Sequence, residues 1–138
     1  MTYKAAEVYD ALMIKAGTLA IGSPPLPIDV PEPDVVFTPP ADGKYLSVTE
    51  FPNRPRWEGL SSGVLDQGLL QITVVWPKNA GLYAPKVVAG QVIAHFAKGT
   101  VMVSSGGVKV RIVNEPWIAP PITEGSEVRV PVTIPWQA

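Results

Sequence analysis

EVRVPVTIPW, residues Glu127 to Trp136, alternates without a break. Its even positions, Val128, Val130, Val132, Ile134 and Trp136, are apolar. Its odd positions are Glu127, Arg129, Pro131, Thr133 and Pro135. Period two marks a strand with one face in a core. The prolines add a second constraint. Residues of one parity turn their N–H groups toward the same neighbouring strand. Pro131 and Pro135 therefore remove two donors from one side only, and proline is confined to edges and bulges. The segment is expected to be an edge strand whose proline side is unpaired, or paired only at its start.

Working outward, Gly68 to Trp76 (GLLQITVVW) predicts a second strong strand. Leu70, Ile72, Val74 and Trp76 share one face, and Gln71 and Thr73 the other. Lys44 to Phe51 predicts a third strand, stopped by Pro52. Thr100–Val103 and Val108–Val113 read as a hairpin closed by SSGG. Thr2 to Ala16 has helical spacing at Ala5, Val8, Tyr9, Leu12 and Ala16. Thr2 is a suitable N-cap and Gly17 a suitable C-terminal closure. Tyr83 to Ala97 predicts a second helix, with Val88, Val92 and Phe96 as its stripe and Lys98-Gly99 at its end. NRPRWEGLSSGVLDQ, from Asn53 to Gln67, has no period and reads as a loop.

Between Ser23 and Pro40 stand seven prolines, broken by Val35-Val36-Phe37. Proline fixes its own φ and pushes the preceding residue toward extended backbone. An extended, surface-running arm over about residues 22–43 follows, with Ala41-Asp42-Gly43 as its turn into a strand. The three apolar residues are costly to leave in water. They should pin the arm to its own core or to a neighbouring subunit. The fold class is accordingly α+β: one domain over 1–138, an antiparallel or mixed sheet, two helices packed on one face, and the proline-rich arm.

Composition narrows the function. The chain has 138 residues and is 46% hydrophobic and 17% charged, enough for one core and unlike a disordered chain. A net charge of −1 gives no long-range attraction to nucleic acid or an anionic membrane. No cysteine is present, which excludes disulfides and thiolate chemistry. Glu7 and Asp10 near the start argue against a signal peptide. No apolar run approaches the ~20 residues of a membrane span. A soluble protein made in the cytoplasm of its host cell is expected.

Reaction machinery is hard to find. The single histidine, His95, lies near a helix end, where a capping role suffices. The acidic residues are scattered, and no metal-ligand spacing or phosphate-loop motif occurs. No catalytic residue, metal or cofactor is expected, and the protein is read as no enzyme. Trp76 and Trp136 are expected in the core. Trp57, beside Arg54 and Arg56, and Trp117, after Pro116, lie in segments read as loops. Tryptophan and arginine there are typical of interfaces. The candidate partner-contact residues are Val35, Val36, Phe37, Arg54, Arg56, Trp57, Lys78, Tyr83 and Trp117. A sugar-binding module using Trp57 and Trp117 is the competing reading.

Six blocks carry a further likeness: VYDALMIKAGTLA (8–20), PPLPIDVPEPDVVFTPPADGKYLSV (24–48), DQGLLQITVVWPKNAG (66–81), AHFAKGT (94–100), VKVRIV (108–113) and VPVTIPWQA (130–138). In order and spacing they resemble a bacteriophage family of short tail proteins, the tail terminator or tail completion proteins. Glu32 to Phe37 departs from the family's shorter approach. The resemblance implies a structural virion protein of the tail's neck region, assembled in the bacterial cytoplasm. It implies a ring, usually of six subunits, at the head-proximal end of the tail tube. Such a ring stops tube polymerisation and presents a surface to the head connector. Implied partners are the protein itself, the major tail tube protein and the connector or stopper, with DNA passing the lumen unbound. A neck adaptor in head–tail joining is the alternative within virion assembly.

Overall fold

The computed structural model describes residues 5–22, 25–30, 36–52, 56–59 and 63–138, with side chains except at 52, 56–59 and 63–65. Helix α1 spans Ala5–Gly17 and buries Val8, Ala11, Leu12 and Ala16. Ala11 joins the expected stripe, whereas Ala5 is exposed. The Thr2 cap lies outside the described residues. Gly17 ends the helix without a left-handed φ. The terminal carbonyls are taken up instead by Thr18 and Leu19, whose N–H groups donate to Lys15 and Ala16.

A short strand β1 (Ile28–Asp29), inside the proline-rich stretch, pairs parallel with β2 (Tyr45–Pro52). The 36–40 segment is described and joins no strand. Gly43 adopts φ 70°, and its N–H closes the turn onto Pro40 O. Residues 53–65 correct the loop expectation. Their described parts form a two-stranded antiparallel ribbon, β3 (Arg56–Gly59) with β4 (Gly63–Leu65), and a bulge falls between Trp57 and Gly59. A bulge breaks the alternation that period-based reading needs.

Strand β5 (Gln67–Pro77) follows, then a 3-10 turn at Lys78–Ala80 and helix α2 (Tyr83–His95). Val88, Ala89, Val92 and Phe96 are buried. Gly99, at φ 92°, lets the chain reverse, and its N–H donates to Ile112 O at 2.8 Å. The hairpin β6 (Val101–Val103) and β7 (Lys109–Ile112) comes next. Two short strands, β8 (Trp117–Ile118) and β9 (Ile122–Glu124), lead to β10 (Glu127–Gln137).

These strands form one mixed sheet ordered β1-β2-β5-β10-β7-β6, with β8 and β9 also paired to β10. Among the described strands of this sheet only β1 and β2 pair in parallel. The helices share one core with the even residues of β10 and with Leu70, Ile72, Val74 and Trp76 of β5. Trp136 is in that core too, as expected.

Strand β10 is therefore not an edge strand. It pairs with β5 along its whole length, from Glu127↔Pro77 to Gln137↔Gln67. Its other side is covered piecemeal: β9 at 127–129, β8 at 132–133, β7 at 136–137. Ala119 N–H donates to Pro131 O, so the odd residues, prolines included, turn toward that piecemeal side. The missing donors fall where the ladder is interrupted. The prolines thus identified the donor-poor side correctly, but the chain covers it with three fragments in place of one strand.

Candidate assembly interface

The nine candidate contact residues scatter. Val35 and Arg54 lie outside the described residues. Arg56 and Trp57 sit on β3, but their side chains are outside the described set. Lys78 is exposed in the 3-10 turn, and its N–H donates to Ser126 O at 2.9 Å. Tyr83, at the first position of α2, is 85% exposed, beside half-exposed Leu82. Trp117 stands opposite Thr133 on the sheet face turned from the helices, 48% exposed.

The arm resolves into two unlike residues. Phe37 is half-buried, its ring 4.9 Å from that of Tyr45. Val36, next to it, is 90% exposed. Phe37 ties the described part of the arm to its own β2, while Val36 points away from it.

Sequence reading missed the open edge of the sheet at β6. Ile112 N–H donates to Thr100 O, and Ser104 N–H donates to Val108 O. Thr100, Met102 and Ser104 share a parity, so Val101 and Val103 turn their N–H and C=O groups outward. Among the described residues β6 pairs with β7 and with no other strand, so these outward groups face no partner strand. Both side chains are half-exposed. A cavity of about 220 Å³ lies between this edge and α1, lined by Ala11, Ile14, Lys15, Thr18 and Val101 to Val103. The signal was present: in VMV the outward phase of the alternation is filled by valines where a solvated strand carries polar residues.

The hairpin that carries this edge is held by acidic side chains. Ser105 N–H donates to Asp10 Oδ2 at 2.7 Å, and Gly106 N–H to Glu7 Oε2 at 3.3 Å. Both carboxylates belong to α1, so the helix is tied to the hairpin turn at two points. A Cβ at position 106 would run into the Glu7 carboxylate. His95 makes the corresponding tie between the helices. Thr18 Oγ1 donates to Lys15 O at 2.6 Å, which leaves its oxygen to accept from His95 Nε2 at 2.7 Å. The same Nε2–H lies 3.2 Å from Lys15 O. This network assigns the proton to Nε2. The imidazole therefore fastens the end of α2 to the end of α1.

Arg129 pairs with Glu127 at 3.1 Å and lies 3.8 Å from Glu124. Glu50, opposite Leu70 on the helix-facing side, has its carboxyl pushed above the usual range by burial. Among the described residues no group of three His, Asp or Glu side chains is placed to hold a metal ion. No described helix is long and apolar enough to cross a membrane. What the surface offers is contact: an unpaired strand edge, an apolar groove, and exposed Tyr83, Trp117, Ile118 and Ile122.

The fold is found elsewhere. A solved protein bearing no functional name is 24% identical, with a TM-score of 0.77, over 99% of this chain and 96% of its own. A chain from the virion of a native gene transfer agent particle is 19% identical, with a TM-score of 0.67, over 99% of this chain and 98% of its own. At these identities the likeness is one of fold. No curated protein matches the chain. The model of the phage tail terminator proteins matches residues 7–136, which span both helices and nearly all of the sheet. This chain belongs to the phage tail terminator protein family, and is a structural protein of the virion tail.

Proposed function

We propose that the protein closes the head-proximal end of the tail tube as a ring of identical subunits, most simply six. The observation that carries this reading is the open β6 edge with its outward valines, in a chain whose family match covers 7–136. A ring needs a heterologous contact that closes on itself, and an unpaired strand edge is a ready site for one. One face of the ring then meets the last tube ring, and the other offers no further tube site, so polymerisation stops. That second face receives the head connector. A net charge of −1 suits a lumen through which DNA slides without being held. Assembly takes place in the host cytoplasm, and no reaction is catalysed.

Electron microscopy of particles made without this protein tests the reading. Over-long tail tubes are expected. Tails of normal length that fail to join heads would make the protein a neck adaptor instead. Normal tails on normal heads would end both readings.

A further inference from the structure

We infer that the groove between β6 and α1 receives the Asp34–Thr38 segment of the arm of a second copy, with Val36 seated beside Val101 and Val103. This deepens the ring reading and rests on it.

The groove specifies its occupant. Val101 and Val103 turn their N–H and C=O groups to the side of β6 that no described strand pairs. The floor beside them is apolar, from Ala11, Ile14 and Met102. An edge strand next to a helix takes an extended segment, with backbone bonds for affinity and alternate side chains in the groove for selectivity.

The arm is the segment of this chain that fits. An added strand must donate N–H groups, and proline has none. Between Pro31 and Pro40 the sole run of consecutive N–H donors is Asp34-Val35-Val36-Phe37-Thr38. Its centre is β-branched and apolar, suited to an extended half-buried position. Val36 is 90% exposed, next to half-buried Phe37.

The contact is intermolecular. Phe37 packs its ring at a tilt against Tyr45 at the start of β2, and β2 and β6 lie toward opposite ends of the sheet order. Val36 does not line the groove of its own chain. A donor at one end of the sheet and an acceptor at the other make a head-to-tail contact, which propagates until it closes. Phe37 holds the donor in place, so less freedom is lost on docking.

The natural chain has no cysteine, which permits a clean test. Val36→Cys is combined with Val101→Cys or with Val103→Cys in the full chain, under oxidation, with native mass spectrometry of the same samples. Facing residues on adjacent strands have Cα atoms ~4.5–5.5 Å apart, within the disulfide range. At least one double variant should give a covalent ladder of multimers up to the ring, and the single variants none. Two single variants mixed should stop at covalent dimers. Val36→Asp should keep a wild-type circular dichroism spectrum and lower the oligomer fraction at least tenfold. Native rings without any ladder, an intrachain disulfide in monomers, or normal assembly of Val36→Asp overturns the arm contact and leaves the ring standing. A chain that stays monomeric even on tail tubes overturns the ring, and the contact with it.

Discussion

The two sides of β10 are built differently from one sequence. Toward β5 the pairing is continuous over the strand's 11 residues. Toward β9, β8 and β7 it is broken into short stretches, with Pro131 and Pro135 at the breaks. The first side stabilises the domain. The second lets irregular chain, with its exposed Trp117, Ile118 and Ile122, lie against the sheet without completing it. A strand can thus be central by position and edge-like by chemistry.

The largest expected effect probes the difference in burial. Ile134 is fully buried, whereas Ile118 on β8 is 36% exposed. Ile134→Ala should cost about 2–5 kcal/mol in urea unfolding, through lost transfer and the cavity left behind. Ile118→Ala should cost well under about 1 kcal/mol. Equal costs would mean that the fragmented side is as much core as the other.

Next is Gly106→Ala. The new Cβ displaces the Glu7 carboxylate and breaks its bond to the turn. Glu7 is a flexible side chain and can swing aside, so the loss should be about 0.5–1.5 kcal/mol. Amide exchange should quicken at Ser105 and Gly106 first. Unchanged exchange there would show that α1 does not hold the hairpin.

The smallest effect comes from Pro131→Ala. It restores an N–H facing Ala119, whose own N–H already bonds Pro131 O at 2.8 Å. The added bond and the lost backbone restriction oppose each other, leaving a net change within about 1 kcal/mol. The new amide should be slow to exchange. Fast exchange would mean that β8 does not follow β10 past Val132.

Strong alternation and helical spacing were legible from residues alone: β2, β5, β10 and both helices stand within a few residues of expectation. β10's position was not, because proline reports which donors are absent and is silent on how a neighbour avoids needing them. β8 and β9 were missed because WIAPPI has neither period, and strands of two or three residues exist only through their pairing with β10. β3 and β4 were missed because the bulge disrupts their phase. Of the candidate contact residues, Val36 and Trp117 were visible as apolar residues in segments without a period. The β6 edge was half legible: the outward valines of VMV stood in the sequence, but the missing neighbour belongs to the sheet order, which those residues do not state.

The continuous β5–β10 ladder also gives the domain a mechanical grain. A load along these two strands in opposite directions shears the whole ladder at once. A load across the sheet at β8 or β9 peels two or three residues at a time. Pulled in single-molecule experiments through pairs of attachment points, the same domain should be stiff along β10 and yielding across it.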